Sequence, residues 1–322
     1  MSFKFVSTSP TFGYYAMEPV EYLKQHGCEV ELVPQGKKLS EDELVLCAAE
    51  VDAMVVGIEK ITARVIQAGK KLKVIAKHGA GVDNIDMETA TKNGIVVTSA
   101  PGANSDAVAD MTIGLFLALA RKIPYADQSV KGGQWPRIVG TGVNQKTLGI
   151  IGVGQIGKKV AKRVLGFDMK VLVYDVVKDD EFAETVGATY VSLDEIFTKA
   201  DFISIHVPLI DATRNMISVR EFGLMKKGTF LVNVARGGVV DEKALFDALK
   251  ENKIAGAACD VFTQEPAKGN PLLTLENVIA TPHMGMYTRE ALVDTGMICV
   301  RNIMDVLTGK KPQFLNNPEV IT

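Results

Sequence analysis

Cysteine is scarce in this sequence. Four residues in 322, at Cys28, Cys47, Cys259 and Cys299, form no C-x-x-C pair and no ligand spacing. That pattern speaks against a disulfide framework and a cysteine metal site, and leaves small buried apolar side chains as the better reading. Long hydrophobic runs are missing too. The most apolar stretch, residues 111–120, lies between Asp110 and Arg121 and is about half the length needed to span a bilayer. Residues 1–7 lack the apolar core of a secretory signal. Neither sign of charge predominates: 36 Lys and Arg stand against 38 Asp and Glu, a formal net charge of −2. A nucleic-acid binder needs a basic stripe, and a membrane-surface patch needs a run of like charges; neither is present. The expectation is a reduced, cytoplasmic protein with no metal and no nucleic-acid or membrane partner.

What is present is an alternation of short β-branched runs with helix-like segments, the pattern of a parallel sheet covered on both faces. At roughly 150 residues per domain the length suits about two domains, and 47% hydrophobic residues suffice for two cores. Residues 3–6, 29–33, 53–56, 72–76 and 95–98 read as the strands of a first, flavodoxin-like unit, with helical segments such as 18–26 and 41–50 between them. The turn at Pro101 to Ser105 then opens a helix running to about Arg121. It is apolar nearly all round, which suits burial between domains or subunits and makes it a candidate dimer interface. A second unit begins at Thr147, with strands expected at 148–151, 170–174, 202–205, 229–232, 256–260 and 278–280. A last helix is expected over about 288–307, and residues 310–322 read as irregular.

The first strand of the second unit runs into Gly152-Val153-Gly154-Gln155-Ile156-Gly157, a G-x-G-x-x-G turn directly before a helix-forming run. Gly152 makes the tight turn, Gly154 lets the backbone approach a pyrophosphate, and Gly157 lets helix and strand pack closely. The first helical N–H groups then hold the phosphate charge. Asp175 ends the next strand, near the expected spacing for an acid that accepts from a ribose 2′-hydroxyl and repels a 2′-phosphate. NAD is therefore the expected cofactor.

Each of the four histidines has a bland reading. His26 suits a helix C-terminus, while His78, His206 and His283 each follow a strand end, where ligands bind in open α/β sheets. A dehydrogenase acting on a 2-keto acid needs an acid to protonate the developing alkoxide, a cation for the carboxylate and a dry site. Histidine titrates near working pH, a neighbouring carboxylate favours its protonated form, and arginine grips a carboxylate with two parallel bonds.

Four segments, in order and at characteristic spacing, carry a resemblance over nearly the whole chain: Gly79-Ala80-Gly81-Val82-Asp83-Asn84-Ile85-Asp86; the glycine turn with Asp175; Asn233-Val234-Ala235-Arg236-Gly237-Gly238-Val239-Val240-Asp241; and Asp260-Val261-Phe262-Thr263-Gln264-Glu265-Pro266 leading to Thr281-Pro282-His283. The sequence resembles the D-isomer-specific 2-hydroxyacid dehydrogenases. The resemblance implies two Rossmann-like domains: a doubly wound NAD-binding sheet, residues 101–287, inserted in a flavodoxin-like substrate domain of residues 1–100 and 288–322. It implies Arg236 as the substrate-binding arginine, Glu265 as the histidine's partner and His283 as the general acid/base. Backbone N–H groups at Gly79, Ala80 and Gly81 would hold the substrate. His206, Val207, Pro208, Val234, Ala235 and Asp260 would line the cofactor cleft, Thr112 would reach the cofactor from the long helix, and a homodimer would form through the inserted domain.

Within the family the pattern is most similar to short 3-phosphoglycerate dehydrogenases, with no feedback domain expected after residue 322. Lys77 and His78 depart from it, standing where those enzymes often carry Arg-Ala. Both are candidate substrate-binding residues, and glyoxylate, hydroxypyruvate, lactate-like and sulfonated acids stay open. Formate dehydrogenases of the same fold carry glutamine at the position of Glu265. An NAD(H)-sensing corepressor-like binding protein is the alternative from another class.

Overall fold

The computed structural model describes every residue except Met1, Lys38 and Thr322. The chain separates into two compact units, Met1–Asn104 with Met286–Thr322, and Ser105–Gly285. Among the described residues, no helix is long and apolar enough to cross a membrane.

The first unit holds five parallel strands: β1 (Lys4–Ser7), β2 (Glu29–Leu32), β3 (Ala53–Val56), β4 (Val74–Lys77) and β5 (Val96–Thr98). Their order is β2-β1-β3-β4-β5, the flavodoxin-like order. Strand side chains alternate between faces, and here both faces are apolar. Val6, Met54, Val56, Ile75 and Val97 pack on one side with Leu44 and Val65 of the helices Glu41–Ala49 and Ala63–Ala68. Phe5, Ala53, Val55, Val74 and Ala76 pack on the other with Leu23 of Glu18–Gln25 and Cys299, Val300 and Ile303 of Arg289–Leu307. The C-terminal segment is less irregular than its composition suggests. Buried Asn317 accepts from the Val97 N–H at 2.8 Å and donates to the Ile95 carbonyl, so it pins the segment along β5.

The second unit holds β6 (Thr147–Ile151), β7 (Lys170–Tyr174), β8 (Thr189–Tyr190), β9 (Phe202–Ile205), β10 (Phe230–Asn233), β11 (Gly256–Cys259) and β12 (Val278–Ala280). They form one parallel sheet in the order β12-β11-β10-β9-β6-β7-β8. Chain direction across the sheet reverses between β6 and β9, so a crevice opens beyond their C-terminal ends, where open α/β sheets bind ligands. The long helix Ser105–Arg121 buries Val108, Leu115, Phe116 and Leu119 against Leu148, Val160 and Phe202. Asp106 and Asp110 reach Lys159 and Arg163 on the next helix, Gln155–Val164. Met111, Ile113 and Leu117 on its far side are only partly buried.

Among the elements that the sequence reading did not place are a helix and a very short strand. The helix Ile123–Lys131 follows directly on the long helix, separated by Lys122 in a left-handed conformation, and carries a proline in its first turn, where its missing N–H costs nothing. Strand β8 is two residues long, too short for any periodicity to register.

Candidate active site

The loops beyond the C-terminal ends of β6, β7, β9, β10, β11 and β12 bring most of the candidate residues of the second unit to one edge of the sheet. After β6 the chain turns at Gly152, whose φ is +97° and where a Cβ would stand 2.7 Å from the His206 carbonyl. At Gly157 a Cβ would fall 2.0 Å from the Gly152 oxygen, so only hydrogen fits between strand turn and helix. Gly154 meets nothing within 4 Å, an open surface. No side chain caps the helix Gln155–Val164, and among the described residues the N–H groups of Gln155 and Ile156 donate to no acceptor. They form a cradle for an anion. Asp175 follows β7, and its carboxylate accepts from the N–H groups of Val153 (2.6 Å) and Val177 (3.1 Å), tying the glycine turn to the strand end.

His206 follows β9. Its Nε2 is hydrogen-bonded to the Ser204 hydroxyl, while Nδ1 is buried without a partner. Burial pushes its pKa down to about 3, so the ring is neutral and presents an unsatisfied polar atom beside the glycine turn. Val207, next along, packs against that turn. These features fit a dinucleotide: an open backbone cradle at a helix N-terminus, and an orphaned ring nitrogen next to it. Pro208, Val234 and Ala235 lie in the adjoining loops after β9 and β10. Thr112 is fully buried in the long helix and its hydroxyl donates to the Val108 carbonyl at 2.7 Å.

Three further loops assemble an arginine, a glutamate and a histidine. After β10, the Asn233 side chain accepts from the Ala235 N–H at 3.1 Å and donates to the Arg236 carbonyl at 3.0 Å, fixing the turn that carries Arg236. The guanidinium donates to the Ala235 carbonyl at 2.8 Å. At Gly237 a Cβ would stand 2.1 Å from the Phe262 carbonyl carbon, so this turn lies directly on the loop after β11. That loop carries Glu265, whose carboxylate accepts from the Phe262 N–H at 3.1 Å and meets His283 Nδ1 at 2.8 Å. Burial alone would raise the pKa of Glu265. The bond to His283, the Phe262 N–H and the charge of Arg236 outweigh it and hold the group below its ordinary value.

His283 follows β12 with φ +54°, a conformation that a non-glycine residue adopts only when its surroundings impose it. Asp260 does so. Its carboxylate, 1% exposed, accepts from the Thr281 hydroxyl and from the N–H groups of Met284 (2.9 Å) and Gly285 (2.8 Å). The Asp260 carbonyl takes the His283 N–H at 2.8 Å. The ring is thus fixed at its backbone and at Nδ1, so Nε2 is its other nitrogen available to a ligand. Asn233, Gly237 and Thr281, which position these groups, stand in the quoted segments without an assigned role. Those of Gly237 and Thr281 depend on contacts between loops far apart in sequence.

In the first unit Lys77 closes β4 and is buried. Its ammonium donates to the Gly57 carbonyl and to Asn84 Oδ1. His78 is also buried, with Nδ1 within 3.2 Å of the Ser9 hydroxyl and 3.3 Å of that of Thr11. Burial, with a smaller contribution from the charge of Lys77, brings its pKa down to about 4. Beyond them Gly79 takes φ +154°, and among the described residues the N–H groups of Ala80 and Gly81 donate to no acceptor. The cysteines carry no chemistry here. All four are free, and burial pushes Cys259 and Cys299 up to about 12.

Residues 113–285 match the family profile described as D-isomer specific 2-hydroxyacid dehydrogenase, NAD binding domain. The D-3-phosphoglycerate dehydrogenase of Methanocaldococcus jannaschii is 47% identical over 297 residues, 91% of this chain and 57% of that protein. The chain therefore spans little more than half the length of such relatives. The glyoxylate reductase of Thermococcus litoralis is 41% identical over 91% of this chain and 92% of its own. Among solved structures, the D-lactate dehydrogenase of Lactobacillus jensenii with NAD+ superposes with a TM-score of 0.80 at 28% identity, covering 97% of this chain and 99% of that one.

Proposed function

The chain belongs to the D-isomer specific 2-hydroxyacid dehydrogenase family, and from that premise we propose that it interconverts a small D-2-hydroxy acid and its 2-keto acid with NAD. The observation that carries this reading is the 2.8 Å contact of Glu265 with His283 Nδ1, on loops packed against the turn of Arg236. When bound, the cofactor would supply the hydride chemistry, NAD+ as acceptor for the hydroxy acid and NADH as donor for the keto acid. Arg236 holds the substrate carboxylate, and the N–H groups of Ala80 and Gly81 are the substrate-binding donors of the first unit. His283 Nε2 gives the proton that the reduced carbonyl oxygen needs, and takes it back in oxidation. Glu265 fixes the tautomer and steadies the imidazolium, as the acid of a triad does for its histidine.

For the cofactor, Gly152, Gly154, Gln155, Ile156 and Gly157 form the pyrophosphate cradle, Asp175 takes the ribose, and His206, Val207, Pro208, Val234, Ala235, Asp260 and Thr112 surround the rest. The name of the archaeal relative supports 3-phosphoglycerate as substrate. Glyoxylate or hydroxypyruvate is the second reading, supported by a reductase matched along nearly its whole length. A homodimer built on the second unit is supported by exposed apolar residues following the long helix, Trp135 and Val139 foremost at 88% and 83% exposure. Light scattering at about twice the 34.7 kDa chain mass would agree with it. The enzyme reading is tested by NADH oxidation with a panel of 2-keto acids. Turnover supports it, whereas NADH binding without turnover of any of them would favour the sensor class.

A further inference from the structure

The sheet of the first unit has its own switch point, since β1 lies between β2 and β3 and the chain leaves in opposite directions from it. The crevice beyond β1 and β3 is where such a sheet receives a ligand, and three loops meet there. Thr8 follows β1; its N–H goes to the Val55 carbonyl, and its hydroxyl reaches the Glu59 carboxylate in the loop after β3. The same carboxylate accepts from the Gly57 N–H at 2.9 Å. Gly57 is hemmed in: a Cβ there would stand 3.0 Å from the ring of Pro10 and 3.3 Å from the Ser9 Cα. The Gly57 carbonyl takes bonds from both Lys77 and Asn84, and Asn84 also donates to the Glu59 carbonyl.

Lys77 is therefore engaged as a brace between loops. The loops after β3 and β4 carry Glu59, Asp83 and Asp86 against Lys60 and Lys77, so they hold no excess of positive charge. His78 adds none, being buried and neutral between the hydroxyls of Ser9 and Thr11. A phosphate ester brought here would have to take the ammonium from two acceptors while facing a carboxylate. A hydroxymethyl group or a hydrogen would meet hydroxyls and amides and disturb nothing.

We infer that Glu59, in a loop braced by Lys77, selects against a second anionic group, so that the substrates are small 2-keto acids with an uncharged substituent. The inference rests on the dehydrogenase reading and sharpens its substrate class. Like charges juxtaposed in a binding site typically cost on the order of 100-fold in affinity.

The test compares kcat/KM with NADH for glyoxylate, hydroxypyruvate and 3-phosphohydroxypyruvate, in the full-length protein and in Glu59→Gln. The wild type is expected to favour hydroxypyruvate over its phosphate ester by roughly 100-fold, and Glu59→Gln should narrow that ratio at least about tenfold by gaining on the ester. Salt gives a reading without any variant. Screening should lower KM for the ester relative to hydroxypyruvate if a carboxylate repels it, and raise it if Lys77 attracts it. A preference for the ester, or a KM ratio that moves the second way with salt, overturns the inference and leaves the dehydrogenase reading standing. No turnover of any of the three, with NADH still bound, overturns both.

Discussion

In the proposed mechanism Glu265 decides how the histidine behaves. Its carboxylate is held below the ordinary range despite its burial, so it stays ionised through the whole span in which a histidine titrates. Replacing it with glutamine keeps a hydrogen-bonding group at Nδ1 but removes the charge and lets the wrong tautomer form. Glu265→Gln should therefore lower kcat by about 100-fold or more with little change in NADH affinity; a loss of less than threefold would remove Glu265 from the mechanism. Reduction by the wild type should persist as pH falls to about 5, since Glu265 keeps its charge over that range. His283, Glu265 and Arg236 were legible in the sequence as a pattern. The loop contacts that hold them were not, because Thr281 acts through a bond to Asp260 and Gly237 through a close approach to Phe262, both distant in sequence.

The glycine turn shows what an element adds. All three glycines fit one motif, yet the structure gives them different tasks. Gly157 has no room for a methyl group, with the Gly152 oxygen 2.0 Å from where it would stand, while Gly154 has open space. Gly157→Ala should destabilise the protein by about 1–3 kcal/mol through overpacking. Gly154→Ala should leave the melting temperature nearly unchanged and weaken NADH binding, because its methyl group would project into the cradle. Thermal melts with fluorescence titrations of NADH separate the two, and equal effects on stability would contradict the assignment. Most strands were readable because apolar β-branched runs bounded by glycine and charge leave little choice. The helix Ile123–Lys131 was missed because its composition does not set it apart from a loop. The order along the C-terminal segment comes from Asn317, whose role depends on reaching β5.

At the scale of the molecule, two buried histidines tie stability to pH. His78 and His206 have folded-state pKa values of about 4 and about 3, against roughly 6.5 in an unfolded chain. The unfolded chain binds more protons between those limits, so stability is greatest above about pH 6.5 and falls as pH drops toward 4. Glu265, with its lowered value, adds a loss of the same sign below the ordinary carboxylate range. Melting temperatures should decline between pH 7 and 4.5, and His78→Gln should flatten that decline. A wild-type melting temperature constant across this range would show that the histidines are not held neutral. The two-unit α/β architecture followed from the alternation of strands and helices. Which loops meet at each sheet edge followed only from strand order, which short apolar strands do not encode in their own residues.

The proton carrier is best tested by His283→Asn, measured for NADH affinity and for reduction of the preferred 2-keto acid. NADH affinity within about threefold of wild type, with kcat reduced by about 100- to 10,000-fold, is the predicted result. Turnover comparable to wild type would contradict the central role given to His283.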